Sequence, residues 1–488
     1  MRKPVCLILL LIASVAVQAR AAIELPKIFT DNMVLQQNLP IAVWGGAAAG
    51  EAVTVSLGPN SQETKADAQG KWRVSLPSMK ADGKTYALTV KGTDTVTLKN
   101  ILLGEVWLCA GQSNMNRSVE VKDSHPGIRL FWSDGSTVPM KDDLAWTAGW
   151  VEATPEGLAS AAPVHGGRLD GKPRKDFAEV GYVFGRKIHE ELKVPVGLIK
   201  AAFGGSNVAA WTPRPDIEKE HPFGQKVERS YVGHTPGLMY QAMVHGMVPL
   251  AIRGVLWYQG EDDGRNRNYH NDMKTWIESW RALWGRPDMP FYLVQIAPTS
   301  YAGGQMQYLW ESQVWVMHNV PHTALAVSND MLPERMVKVD EQTGFPKAGG
   351  SNPHPPNKHI VGERLAHIAL VKTYGRPERV LYGPMVDSHT IDGAKVLVKF
   401  KYVGTGLASR DGKPLTWFQV SDGTKEGRNL KFANAAAKIV GKDTIEVSSP
   451  DVKQPKFVRF AWHCEARHNL MNTEGLPAVS FRTDSDAK

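Results

Sequence analysis

Apolar and polar positions change rhythm twice along this chain. From residue 23 to about 100 they alternate with period two. Val53-Thr54-Val55-Ser56-Leu57, Trp72-Arg73-Val74-Ser75-Leu76 and Tyr86-Ala87-Leu88-Thr89-Val90 each read as strands with one buried face. Gly58-Pro59-Asn60, Asp67-Ala68-Gln69-Gly70 and Asp82-Gly83 are the turns between them. From about 101 to 376 the texture is different. Short apolar runs at 105–110, 196–203, 254–258, 291–297 and 323–328 alternate with helix-period segments near 178–193, 236–248, 270–284, 306–319 and 357–374. The last of these takes Asn357 as its cap, carries Val361, Leu365, Ile368 and Ala369 on one face, and stops at Gly375 and Pro377. Apolar strands alternating with helices predict a doubly wound, mostly parallel sheet covered on both faces. After 377 the β texture returns in Val396-Leu397-Val398-Lys399-Phe400, Thr444-Ile445-Glu446-Val447 and 457–462, with Asp411-Gly412-Lys413-Pro414 as a turn.

The expected organisation is an α/β domain over 101–376, flanked by an N-terminal β-sandwich-like module over 22–100 and a C-terminal β-rich module over 377–488. A chain of 488 residues is long enough for about three domains.

Residues 1–21 read as a secretory leader. Arg2 and Lys3 precede the apolar run Val5–Val17, and Ala19-Arg20-Ala21 supplies the cleavage site, with Val17-Gln18-Ala19 as the alternative. The run is short for a retained anchor, and no later stretch is long and apolar enough to span a bilayer. The expected location is secreted or periplasmic, without stable membrane insertion once the leader is removed. Losing Arg2, Lys3 and Arg20 lowers the net charge from +8 to +5. That balance suits anionic ligands, but no Lys/Arg-rich run points to nucleic acid. Of the three cysteines, Cys6 leaves with the leader, and Cys109 and Cys464 are too few for a disulfide scaffold.

Candidate chemistry gathers where the middle segment's strands end. Gly111-Gln112-Ser113-Asn114-Met115 follows Val106-Trp107-Leu108-Cys109-Ala110. Phe203-Gly204-Gly205-Ser206-Asn207 follows the second apolar run, and Gln259-Gly260-Glu261-Asp262-Asp263 follows Val255-Leu256-Trp257-Tyr258. Asn352-Pro353-His354-Pro355-Pro356-Asn357-Lys358 precedes the last helix. A doubly wound sheet gathers such loops at one edge. There Ser113 is placed to attack an acyl carbon, with His354 as its base. Backbone N–H groups at Ser113 and Gly205, with the Gln259 amide, are the candidate donors to the oxyanion.

These residues resemble the sialate O-acetylesterase family of SGNH-type hydrolases. The likeness is carried by Ile28–Gln36, by Gly104-Glu105-Val106-Trp107-Leu108 leading into Gly111–Met115, and by Val194–Ile199. It continues through Trp257-Tyr258-Gln259-Gly260-Glu261, His354-Pro355-Pro356-Asn357-Lys358, Glu474–Ala478 and Phe481-Arg482-Thr483. The resemblance implies an SGNH-like fold and removal of O-acetyl groups from sugars without a metal or other cofactor. It implies Ser113 as nucleophile and His354 as base, with Gly205 and Gln259 serving the oxyanion. The glycan stays open between sialic acid and an acetylated plant polysaccharide such as xylan, the substrate of an acetylxylan esterase.

One position departs from the family's pattern. Where an Asp commonly stands two residues before the histidine, this chain has Asn352. An amide orients an imidazole but does not balance its charge. In a serine protease the same change lowers turnover by about 10⁴-fold. Glu261 is the first choice for a replacement acid and Asp330 the second; otherwise the enzyme is a Ser–His dyad. The competing reading is a carbohydrate-binding or surface-scaffold protein with impaired catalysis. Asp262 and Asp263 shape the rim, and Arg117 either meets an anionic sugar or is a solvated surface charge.

Overall fold

The computed structural model describes residues 22–133, 149–160, 175–215, 233–301, 305–331, 353–376 and 380–484. The leader over 1–21 and Asn352 lie outside the described residues.

The central sheet is built from β1 (Thr95–Gly111), β2 (His125–Ser133), β3 (Val151–Ala153), β4 (Val196–Ala202), β5 (Gly254–Tyr258), β6 (Phe291–Val294) and β7 (Thr323–Ala326). Their order is β3-β2-β4-β1-β5-β6-β7. Every neighbouring pair is parallel except the edge pair β3–β2. From β1 in the middle the chain first lays down β2 and the edge strand β3, fills the gap beside β1 with β4, and then adds β5, β6 and β7 on the other side. This switch of direction opens a crevice at the carboxyl ends of β1, β4 and β5.

β1, β4, β5, β6 and β7 fall where the apolar runs predict them, because a strand covered on both faces must be apolar throughout; β2 and β3 at the other edge are not predicted by those runs. Helices α1 (Ser113–Asn116), α2 (Glu179–Leu192), α3 (Tyr269–Trp284), α4 (Met306–Asn319) and α5 (His359–Lys372) cover the sheet. α2 and α5 pack together, as do α3 and α4. The contact of α2 with β1 is so close that a Cβ on Gly181 would lie 2.6 Å from the Cys109 sulfur. Cys109 and Cys464 are buried free thiols. The α3 side holds an aromatic stack in which Trp257 and Trp276 centroids stand 4.1 Å apart. Two helix expectations are corrected. The segment 236–248 is a short helix, Leu238–Met243, and a tighter turn, His245–Met247. α5 begins after Lys358, so Asn357 is not its cap.

β1 is longer than the apolar run 105–110 that announced it. Its first part, Thr95 to Ile101, alternates in exposure and pairs antiparallel with Tyr86–Lys91; from Ile101 onward it is wholly buried. Val34–Gln36 runs parallel beside Leu102–Gly104. One backbone segment therefore crosses the boundary expected at 100/101. A single apolar core runs from Ile23 and Val53 in the N-terminal strands through the central sheet. At that junction Arg253 forks onto the buried Glu105 carboxylate at 2.6 and 3.0 Å.

The C-terminal sheet is antiparallel, in the order Met385–Asp392, Lys395–Lys401, Thr444–Ser448, Ala433–Ile439, Leu415–Ser421, Phe457–Phe460, Phe481–Arg482. It has its own core, including Val398, Phe418, Ile445 and Phe460. Arg482 reaches Glu311 of α4 with two 2.8 Å bonds, and Asn329 donates to the Ala478 carbonyl at 2.7 Å. Among the described residues no helix is long and apolar enough to cross a membrane.

Candidate active site

The site begins where β1 stops. Gly111 has φ +140°, and a Cβ there would lie 2.2 Å from the Tyr258 carbonyl oxygen of β5. Only glycine fits that approach. The chain then turns, with Gln112 N–H donating to the Tyr258 carbonyl at 3.0 Å, and Ser113 opens the single-turn helix α1. As its first residue, Ser113 has no carbonyl one turn back for its own N–H.

His354 arrives from the segment before α5. Its Nε2 lies 2.7 Å from Ser113 Oγ. Two residues separated by 241 positions thus meet at hydrogen-bond distance, and His354 is half-buried. Burial, and after it the positive charges of Lys358 and Arg117, hold the imidazole below its ordinary pKa. A neutral imidazole is the form that accepts a proton.

Beneath this pair lies a buried polar knot centred on Asn114, which is fully enclosed. Its Nδ2 donates to Glu261 Oε1 and, at 2.9 Å, to the Pro353 carbonyl. Its Oδ1 accepts from Lys358 Nζ at 2.5 Å. The amide's orientation is dictated by chemistry, since an ammonium group only donates. Lys358 and Glu261 are each 1% exposed. Burial pushes the Glu261 carboxyl up to about 7 against the pull of Asn114 and Lys358. Burial also pushes Lys358 down to about 7, with Glu261 opposing. The Lys358 ammonium lies 5.4 Å from the Tyr258 ring centroid, within cation–π range. Asn114 bonds the carbonyl of the residue just before His354. The knot therefore fixes the backbone that carries His354.

Each acid expected beside the imidazole is placed elsewhere. Glu261 has one oxygen on Asn114 and the other without a hydrogen-bond partner, so its link to His354 runs through Asn114 and Pro353. Asp330 forms a two-pronged pair with Arg364, at 2.8 and 2.7 Å. Burial opposes its ionisation, but the guanidinium outweighs burial and holds it below the usual carboxylate range.

The Gln259 amide is also committed. Its Nε2 donates to the Ser206 carbonyl at 2.9 Å and to Asp263 Oδ2 at 2.6 Å, and its Oε1 accepts from Tyr269 at 3.0 Å. No hydrogen remains for an oxyanion, and Gln259 is a strut between two loops. Asp263, assigned only to the rim, is the acceptor these loops share. It also receives Val208 N–H at 2.8 Å, and burial pushes it up to about 6. On the glycine turn, a Cβ at Gly204 would lie 3.5 Å from Ser113 Cβ. Gly204 is thus the nearer of the pair to the serine, and Gly205 (φ +71°) faces Asp262. Tyr301 donates to Asp262 at 3.1 Å.

Asn114 and Lys358 are the residues whose roles sequence reasoning missed. Their signal was present: Asn114 sits one position after Ser113 and Lys358 four after His354, in segments otherwise rich in glycine or proline. Among the described residues no cluster of His, Cys, Asp and Glu could hold a metal.

Residues 103–338 match the family model described as carbohydrate esterase, sialic acid-specific acetylesterase. The chain is 27% identical to sialate O-acetylesterase of Homo sapiens over 93% of this chain and 92% of the relative. It is 25% identical to that of Pongo abelii over 93% and 92%. Among solved structures it is similar to a carbohydrate acetylesterase from Xanthomonas citri, at 28% identity and a TM-score of 0.77, covering 95% of this chain and all of that one.

Proposed function

We propose that this chain, which belongs to the sialate O-acetylesterase family, performs its carbohydrate acetylesterase chemistry with Ser113 as nucleophile and His354 as general base. The observation that carries the reading is the 2.7 Å separation of His354 Nε2 and Ser113 Oγ. His354 takes the Ser113 hydroxyl proton as Oγ attacks the acetyl carbonyl carbon. The Ser113 and Gly205 N–H groups receive the charge that develops on the carbonyl oxygen. The imidazolium returns its proton to the departing sugar hydroxyl, leaving an acetyl ester on Ser113. Water, deprotonated by the same imidazole, then attacks that ester and releases acetate and the free serine.

Asn114, Glu261 and Lys358 are positioning residues in this mechanism. They act through the Pro353 carbonyl rather than on the reacting atoms. The enzyme is exported by the leader over 1–21 and meets its glycan outside the cytoplasm. The basic balance suits an acetylated sialoside; acetylated xylan is the other substrate to test.

The test is acetate release from O-acetylated sialosides and acetylated xylan by the parent protein and by Ser113→Ala. Release that is lost in Ser113→Ala supports the reading, and the better substrate names the glycan. Glycan binding without release by the parent protein would overturn it in favour of a binding protein.

A further inference from the structure

α3 and α4 both leave the sheet from the carboxyl ends of their preceding strands, the edge at which Ser113 sits. Between the start of α3, one face of α4 along its first three turns and Arg482 of the C-terminal sheet lies a groove of about 520 Å³. Its lining includes Arg267, His270, Tyr308, Glu311 and Trp315. None of these belongs to the Ser113 site.

Trp315 is 36% exposed, and every other tryptophan among the described residues is buried or half-buried. It stands against the His270 ring, with centroids 5.0 Å apart. An indole left in water beside a groove is a platform for the apolar face of a sugar ring. The charges specify which sugar. The Arg482 guanidinium is already matched by Glu311, at 2.8 Å for each of two bonds. The Arg267 guanidinium lies 3.4 Å from the Tyr308 ring centroid and carries no ion pair among the described residues. Stacking fixes its place while leaving its N–H fork for a carboxylate. Two guanidiniums against one carboxylate leave the groove net positive.

We propose that this groove is a second carbohydrate-binding site, which takes a carboxylate-bearing sugar residue, stacked on Trp315 and paired with Arg267. It rests on the acetylesterase reading only for the choice of carbohydrate as ligand. A site that holds the glycan away from Ser113 raises the local concentration of acetyl groups at the serine. Uronate and sialate share the chemistry, and the ligands tested distinguish them.

The experiment is calorimetric titration of the full-length Ser113→Ala protein with de-esterified oligogalacturonate, with sialyllactose and with neutral xylohexaose. The same titrations are made after adding Trp315→Ala or Arg267→Gln. Binding of one acidic ligand that weakens about tenfold or more with either change is the expected result. Arg267→Gln should erase the preference over xylohexaose. No binding, or binding unmoved by both changes, overturns the proposal. Aryl acetate hydrolysis by the parent protein, measured alongside, tests the esterase reading on its own, so the two fail separately.

Discussion

Replacing Asn114 with Ala should damage stability and rate together. The change deletes two donors and one acceptor from a position with no solvent access. Two of the lost partners are Lys358 and Glu261, each 1% exposed, so bulk water does not readily take the place of the amide. Bonds to charged groups contribute about 1.5–3 kcal/mol each and a neutral one about 1 kcal/mol, which sets an upper limit of about 4–7 kcal/mol for the three. Relaxation and neutralisation of the Lys–Glu couple reduce this, and about 3–4 kcal/mol is the expected loss.

The kinetic effect follows from the Pro353 carbonyl. Without its 2.9 Å tie to Asn114, the segment carrying His354 loses a fixed point, and a misplacement of about 1 Å lowers rates by about 10²-fold. The assays are urea unfolding followed by circular dichroism, and steady-state hydrolysis of 4-nitrophenyl acetate. kcat should fall between about ten- and a hundredfold with KM within about twofold. Asn114→Asp keeps the acceptor for Lys358 but sets a second carboxylate oxygen against Glu261 and the Pro353 carbonyl, so it should be no more stable than the alanine variant and should also lose kcat. A variant Asn114→Ala that unfolds within about 1 kcal/mol of the parent and turns over at the parent rate would refute the reasoning.

Three further outcomes are expected. Ser113→Ala and His354→Gln should each remove at least about 10³-fold of acetate release without changing the unfolding midpoint by more than a degree or two, because neither side chain is a core residue. The acid limb of kcat/KM should titrate below the ordinary histidine value of 6.5. The base works only when neutral, and burial, Lys358 and Arg117 all disfavour its proton, so activity is lost as pH falls through that lowered pKa. Folding follows the same sign, since the proton binds more weakly folded than unfolded; a limb centred above 7 would contradict this. Gly111→Ala should destabilise by about 3 kcal/mol or more in the urea assay, because a Cβ 2.2 Å from the Tyr258 carbonyl forces two adjacent strands apart at φ +140°.

Much of the architecture was legible because it follows from periodicity. β5 over 254–258 and α4 over 306–319 fall where the pattern puts them, since full burial demands apolar residues throughout. Ala433–Ile439 was not legible: its alanines suggest a helix, but the strand is fixed by pairing with Leu415–Ser421 on one side and Thr444–Ser448 on the other. The polar strand Asn60–Lys65 escaped notice for a related reason, as it is held by its partner Ala52–Leu57 rather than by burial.

At the site, sequence spacing anticipated that Ser113 and His354 share one sheet edge but not the bonds around them. Ser113 and His354 meet as their strand-end positions suggested. The roles of Gln259 and Glu261 depend on where a side-chain amide or carboxylate points. Gln259 points toward Ser206 and Asp263, and Glu261 toward Asn114. Such directions are set by tertiary neighbours that no local pattern encodes.

β1 also decides which parts of this protein are exchangeable. The strand that pairs with Tyr86–Lys91 at one end delivers Ser113 two residues beyond its other end. Cutting near residue 100 would leave a raw edge on both fragments, each a template for aggregation. The N-terminal strands are thus inherited with the serine and cannot be fused as a cassette to another enzyme. The C-terminal sheet encloses its own core and shares no strand with the central sheet, but a graft of it would have to carry its ties to Glu311 and Asn329.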